Sequence, residues 1–472
     1  MNSRLLDSIN NRKIGKVEWI ILFALLLFPL LTECFYDFLA TYTHGYALLR
    51  ATFQGHFFQF HEYAKTFTME NGYDATVKDM WGAAYPLPIY IFFAIWSIPV
   101  AILRKIFEIG LYDVGVILWY KLLICIVLAG SVWKLGSIMK RVGANETVIT
   151  MTCFVFSSSL FLVMPTFFMS GYDIFCTFFM LWGIDEYIKN DKSLKWIGIL
   201  GIALTFKALA VFVFVPMLLL KEKRILAIIW KGILAILPLM VCSMLFAFEE
   251  SFQNISSSFL PSFVNKVLYN TLPGGNSPIP IFIAGWVALC IWAYMQNVEN
   301  EPKIVATNVA WSGLVSYGLL TTFVYCHPQW VVVFVPFLAL VLGLNEERIK
   351  INVILEFVGT AALSFFYLLH FAWVFCYRGS LGFVALRGLG IQKNSDISFA
   401  RYFHDIFTFT FDPLIFAVFA VAILGLAVLN YPGRKTNEKP TDYLSHLDYG
   451  MIVLRLLLIP LLFVTDLLIN FA

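Results

Sequence analysis

The chain has 472 residues, 60% of them hydrophobic and only 13% charged, with a formal net charge of +3; soluble proteins run at roughly 45–50% and about 25%. So few charges cannot cover a soluble surface, which excludes a secreted enzyme, a soluble nucleotide-binding fold and a disordered scaffold, and the net charge is too small to imply a nucleic-acid partner. With 47 Phe, 21 Tyr, 13 Trp and many apolar runs of membrane-crossing length, the expected fold is an all-α polytopic membrane protein.

Residues 1–16 carry Arg4, Arg12, Lys13 and Lys16 and read as a cytoplasmic N-terminus. The apolar run from Val17 to Tyr36 is too long for a signal-peptide core and is expected to be a retained first transmembrane helix. Basic loops favour the cytoplasm, so they can be used to count crossings. The next basic loop, Lys134 to Arg141, requires an even number of spans before it, yet two apolar runs, 87–103 and 114–133, follow the first helix. Pro86, Pro88 and Pro99 make 87–103 the weaker helix. It is expected to lie along or dip into the outer face, which turns 37–112 into one long external loop.

Thr147 to Pro165 then runs outward to Ser170-Gly171-Tyr172-Asp173, and Ile174 to Tyr187 returns to Lys189, Lys192 and Lys195. Only residues 196–220 separate that basic loop from Lys221-Glu222-Lys223-Arg224, so two half-helices meeting near Lys207 fit the charges better than one span. Further runs are expected at 225–246, 279–296, 304–324, 330–344, 352–376, 413–429 and 450–470, with external segments at 247–278, 325–329 and 377–412. The pattern of runs shows no internal repeat, low-complexity tract or separate soluble domain.

Ionisable groups near a bilayer are costly and tend to be functional, and here they gather on the expected external side. Asp37, directly after the first helix, is placed either as a general base raised in pKa by partial burial or as an interfacial cap. The first loop adds His44, His56, His61 and Glu62, whose spacing matches no strong metal signature. Asp173 is either a partner carboxylate to Asp37 or the N-cap of the following helix. Lys207, the one charge within 196–220, must find an anion or snorkel. His327, in a tight turn, suits proton transfer, a metal or a helix-end hydrogen bond. Arg378 and Arg387, among glycines, suit phosphate recognition or a lipid headgroup.

The order of these features resembles the GT-C class of integral membrane glycosyltransferases, in particular its bacterial mannosyltransferase-like members. Asp37 stands where that class has its catalytic acid. Ala84-Tyr85-Pro86-Leu87-Pro88-Ile89-Tyr90 is similar to its Tyr-Pro-Pro stretch, and Gly171-Tyr172-Asp173 to its Gly-x-Asp. Gly201-Ile202-Ala203-Leu204-Thr205-Phe206-Lys207, followed by Pro216, is similar to a Gly-Leu-Ala-x-x-x-Lys pattern, and His327-Pro328-Gln329-Trp330 to a later external turn. The resemblance covers roughly 17–345 and implies a transmembrane catalytic module there, with a C-terminal transmembrane region at 346–472 for acceptor or lipid handling. One departure is that many members carry two adjacent acids after the first helix, whereas Asp37 lies between Tyr36 and Phe38.

The resemblance implies a bundle of about 11–13 transmembrane helices in a bacterial plasma membrane, with its active site on the external face. A sugar would pass with inversion from a polyprenyl-phosphate donor to a hydroxyl of a glycan, lipid or protein in cell-envelope polysaccharide synthesis. Asp37 would be the base, Lys207 with Arg378 or Arg387 would hold the donor phosphate, and Asp173, His327 or Glu62 would orient the acceptor or a divalent cation, Mg or Mn. Tyr85, Tyr42 and His44 would contact sugar. The departure at Asp37 leaves the cation open. A polysaccharide polymerase or ligase and a lipid-linked glycan flippase are the alternatives.

Overall fold

The computed structural model describes residues 14–73, 77–78, 82–189, 193–371, 399–406, 411–433 and 446–471. Arg378 and Arg387 lie outside the described residues. What is described is mostly helical, with nineteen α-helices of eight residues or more and one small antiparallel pair, Thr271–Leu272 with Ile279–Pro280.

Helix α1 (Lys16–Thr32) stops where Glu33 turns extended, and α2 (Tyr36–Phe53) starts three residues later. Lys121, buried in α6 (Val114–Arg141), donates to the carbonyls of Pro29 and Glu33 and so caps the end of α1. A cation suits the carbonyl end of a helix, and this contact fixes the break that precedes Asp37. Between α2 and α6 lie α3 (Phe60–Asn71), α4 (Leu87–Trp96) and α5 (Ile98–Phe107). Prolines occupy the first turns of α4 and α5, where a missing N–H costs nothing. The apolar run read as one segment at 87–103 is therefore two helices, bent by 45°.

After α6 come α7 (Glu146–Ser158), a piece from Leu160 to Phe168 bent 50° from it, and α8 (Ile174–Ile188). The half-helices expected near Lys207 are α9 (Lys195–Phe206) and α10 (Val211–Lys221), with Lys207 extended between them. Phe206 stacks on Phe175 and Phe179 of α8, and Phe92 of α4 closes the same cluster, so aromatic packing locks the break in place. The chain continues through α11 (Ile225–Met244), α12 (Glu250–Leu268), α13 (Ile281–Met295), α14 (Pro302–Phe323) and α15 (Val335–Leu344). It ends in α16 (Ile349–His370), α17 (Phe399–Ile406), α18 (Asp412–Leu429) and α19 (His446–Phe471).

Among the described residues five helices are long and apolar enough to cross a membrane, or seven if each bent pair counts as one span. That is fewer than the 11–13 expected. The reason is length: α9, α10 and α13 have 12, 11 and 15 residues, whereas a bilayer core needs about 20. The outer surface is itself apolar. α11 buries only Ala227 and Ala235 and exposes Ile225, Leu226, Ile229 and Ile233, a pattern that fits a lipid-facing helix and not a wet one.

Two ionic groups sit inside the bundle away from Asp37. Asp185 of α8 is held by Lys134 at 3.2 Å and by Arg141 at 2.9 Å, both from α6. Arg455 of α19 pairs with Glu356 of α16, and Ser159 donates to the same carboxylate at 3.1 Å. Lys121 and Lys134 mark two levels of α6, about 20 Å apart at a rise of 1.5 Å per residue.

Candidate active site

The sequence placed Asp37 in a loop, but it lies in the first turn of α2, whose N-terminal dipole favours a carboxylate. Two phenols from distant elements donate to its Oδ2: Tyr85 at 3.2 Å and Tyr172 at 3.1 Å. Tyr85 is aimed there by the turn that opens α4, where its backbone N–H donates to the Tyr90 hydroxyl at 3.1 Å. Tyr172 is aimed by a tight turn after the π-turn Met164–Phe168. The Gly171 N–H donates to the Pro165 carbonyl at 2.7 Å, and a Cβ on Gly171 would meet that same oxygen at 2.8 Å. Ser170, just before it, holds a left-handed φ of 54°, a costly conformation for a residue with a Cβ.

Burial pushes the Asp37 pKa above the ordinary carboxylate value, and neighbouring Asp173 adds to the rise, while Lys207 and the two phenols oppose it. Burial likewise holds the Tyr85 and Tyr172 hydroxyls protonated, so both stay donors. Asp173 precedes α8 as its N-cap residue but makes no capping hydrogen bond; it accepts Lys207 Nζ on both oxygens, each at 3.0 Å. The extended conformation of Lys207 between α9 and α10 is what lets it reach across. Lys207 Nζ also lies 5.5 Å from the Tyr85 ring and 5.4 Å from the Trp330 ring, within cation–π range.

Phe35, Asp37, Met169, Gly171, Asp173 and Gln329 line a cavity of about 10 Å³, room for about one water. Gln329 Oε1 is buried there with no hydrogen-bond partner among the described residues. A buried acceptor left unpaired costs about 1–3 kcal/mol, so it is poised for a hydroxyl. Lys266 of α12 sits 5.5 Å from the same Trp330 ring and 3.1 Å from Nε2 of His327. Burial, then the charges of Lys266 and Lys207, lower the His327 pKa to about 4.

The structure thus brings together Asp37, Tyr85, Asp173, Lys207 and His327. It sets others apart. Tyr42 is fully buried, stacked on Tyr120 at 4.2 Å, and His44 is buried with its ring 5.8 Å from that of Tyr90, so both are core residues and not a sugar-facing surface. The cause is α2 itself, which packs nearly its whole circumference against α3, α4 and α6. Glu62 lies at the contact of α3 with α12, accepting from Ser251, beside a 2.7 Å contact between His61 and Glu249. It is not part of the cavity lining.

Among the described residues no three His, Cys, Asp or Glu side chains converge on a point that could hold a metal ion. The donor set does not fit a divalent cation either, because the Lys207 ammonium already occupies the bidentate position on Asp173. Three participants have no role among the sequence expectations: Tyr172, Gln329 and Lys266. The first two stood inside quoted motifs, and Lys266 is the one basic residue within 247–278. No family model, curated protein or solved structure matches the chain.

Proposed function

We propose that the chain is an integral membrane glycosyltransferase of the GT-C kind, moving a sugar from a polyprenyl-phosphate donor to an acceptor hydroxyl at the outer membrane interface. The observation that carries this reading is the Asp37 carboxylate, half-buried, raised in pKa and held on one oxygen by two phenols beside a Lys207–Asp173 pair. A general base works best when its pKa approaches the working pH, and burial moves Asp37 in that direction.

In the proposed step, the acceptor oxygen attacks the anomeric carbon as Asp37 takes its proton. The bond from that carbon to the phosphate oxygen breaks, and the phosphate leaves with the electron pair, so the anomeric centre inverts. Tyr85 and Tyr172 keep the carboxylate ionised and oriented. Gln329 Oε1 accepts from a sugar or acceptor hydroxyl. A sugar ring exceeds the room in the cavity, so binding requires the walls around Gln329 and Met169 to part. The apolar exterior and the long helices support a multi-pass membrane location.

The test uses purified full-length protein in nanodiscs, with synthetic polyprenyl-phosphate hexoses as donors and release of polyprenyl phosphate as readout. Turnover by the wild type and its loss in Asp37→Asn, with unchanged gel filtration, supports the reading. Near-normal turnover in that variant removes Asp37 from the mechanism.

A further inference from the structure

Lys266 and His327 come from elements that the chain separates by 61 residues, and their contact is not an ordinary salt bridge. An ammonium donates and never accepts, so the 3.1 Å approach to Nε2 makes that nitrogen the acceptor, with the ring proton assigned to Nδ1 and the imidazole neutral. The pair is pre-organised. Asn270, just past α12, donates to the Phe323 carbonyl at 2.7 Å, and Phe263 packs 6.0 Å from Trp330, tying the end of α12 to the turn that carries His327.

The charges around this turn are unequal. Lys207, facing His327 from the α9–α10 break, is balanced by Asp173. His370 of α16, reached through the Tyr325 ring, lies 3.7 Å from Asp412 of α18. Cys326 and Tyr325 beside His327 are kept protonated by burial. Lys266 alone has no carboxylate within ion-pair distance among the described residues. A partly buried cation whose polar contact is a neutral ring nitrogen asks for an anion.

We propose that Lys266 and His327 form a binding site for a phosphate monoester or diester, in which the imidazole takes up a proton as the anion arrives. In the empty site the ammonium N–H points at Nε2. An arriving phosphate takes that N–H onto one of its oxygens and leaves Nε2 facing a second, which is a stable contact only when Nε2 carries a proton. The anion also offsets the local positive potential: the two lysines that oppose protonation of His327 are joined by one or two negative charges in contact with the ring. Phosphate binding and proton uptake are then one linked event. In the transferase reading the anion is the donor or product phosphate, and Lys207, bound to both carboxylate oxygens of Asp173, is a positioning residue for the Asp37 cavity; the anion site itself stands without that reading.

The experiment is calorimetric titration of the full-length protein in phosphatidylcholine nanodiscs, in two buffers of different ionisation enthalpy, from pH 6 to pH 8. Methyl phosphate is one probe. Inorganic sulfate is the second, because its charge is constant over this range and any proton taken up belongs to the protein. The wild type is expected to take up about one proton per anion at the acid end and less as the pH rises. Lys266→Met is expected to weaken binding at least about tenfold, Lys266→Arg to keep it, and His327→Asn to abolish proton uptake while keeping part of the affinity. Dodecyl phosphate that competes from the bilayer assigns the site to a lipid-borne phosphate, and failure to compete assigns it to a soluble one.

Proton uptake that survives His327→Asn, or affinity that survives Lys266→Met, overturns the proposal. Should Lys266→Met fail to fold, the wild-type sulfate titration decides, since anion binding without proton uptake also overturns it. Asp37→Asn, silent in turnover, is expected to bind sulfate as the wild type does, so this site and the transfer reaction fail or stand separately.

Discussion

Lys207 Nζ stands 3.0 Å from both carboxylate oxygens of Asp173, and this pairing sets how the charges of the cavity divide. Asp173 is engaged by Lys207, which leaves Asp37, hydrogen-bonded by two hydroxyls and not by an ammonium, as the carboxylate able to accept a proton.

Lys207→Met strands a buried carboxylate and is expected to destabilise the protein by about 3–5 kcal/mol, the usual result of removing one partner of a buried pair. The double variant Lys207→Met with Asp173→Asn removes both charges and is expected to recover much of that loss, while turnover stays low. Thermal unfolding of the detergent-solubilised variants separates the two effects. A double variant as unstable as the single one contradicts the pairing.

The rate is expected to fall on the acid side at a pH above the ordinary Asp range, because the base must be ionised and burial raises its pKa. Tyr85→Phe and Tyr172→Phe each remove a donor that favours the ionised form, so the pKa rises further and the acid limb moves to higher pH. A hydrogen bond to a charged group contributes about 1.5–3 kcal/mol, which corresponds to a displacement of about one pH unit or more. Profiles of kcat/KM against pH that coincide for wild type and both variants would place the titration elsewhere.

Parts of this site were legible in the sequence, and physical reasons separate them from the rest. The Lys207 break was visible in the parity of basic loops although 204–211 holds no Gly or Pro to mark it. Pro86 and Pro88 announced the start of α4, and Gly171 the turn beneath Tyr172. α2 was not legible. Thr41, Tyr42, Thr43 and Gly45 are poor helix formers in sequence, so the segment reads as loop, and tertiary packing decides otherwise. That is why Tyr42 and His44 moved from expected sugar contacts to the core. The meeting of Lys266 with His327 leaves no local trace, because it depends on where α12 docks.

Gln329→Leu keeps the side-chain bulk of the cavity but removes the unpaired Oε1. It is expected to leave folding intact, or to stabilise the protein slightly, and to raise KM for donor or acceptor about tenfold, since a substrate hydroxyl loses its acceptor. Steady-state kinetics with each substrate varied in turn shows which one the amide holds. An unchanged KM for both removes Gln329 from the site.

Arg455 and Glu356 are 1% and 0% exposed, and their ion pair joins α19 to α16. Glu356→Ala leaves the guanidinium, among the described residues, with the Val155 carbonyl at 3.3 Å as its remaining hydrogen-bond partner, and a loss of about 3–5 kcal/mol is expected. Replacing both by Met is expected to cost less than Glu356→Ala alone, because neither charge is then stranded. Limited proteolysis of the C-terminal helix, together with unfolding midpoints, reads the docking of α19 directly. Equal behaviour of the single and double variants would show that the pair contributes little to it.

Gly45 carries the close approach of α2 to α4. A Cβ there would overlap Phe93 Cβ and stand 3.1 Å from the Phe93 backbone carbonyl carbon, and α4 has no freedom to yield because Tyr90, Phe92 and Phe93 all pack into the core or the aromatic cluster. Gly45→Ala is therefore expected to push α2 and α4 apart. An overpacking cost of about 1–3 kcal/mol follows, offset in part by the better helix propensity of Ala. The functional effect should exceed the stability effect. Asp37 rides on α2 while Tyr85 rides on the start of α4, so the 3.2 Å contact between them lies across the helix pair that separates. Loss of that donor should move the acid limb of the rate profile in the same direction as Tyr85→Phe, although the hydroxyl is still present. Combining Gly45→Ala with Tyr85→Phe should then add little further displacement, whereas an additive displacement would mean that the helix spacing and the phenol act independently.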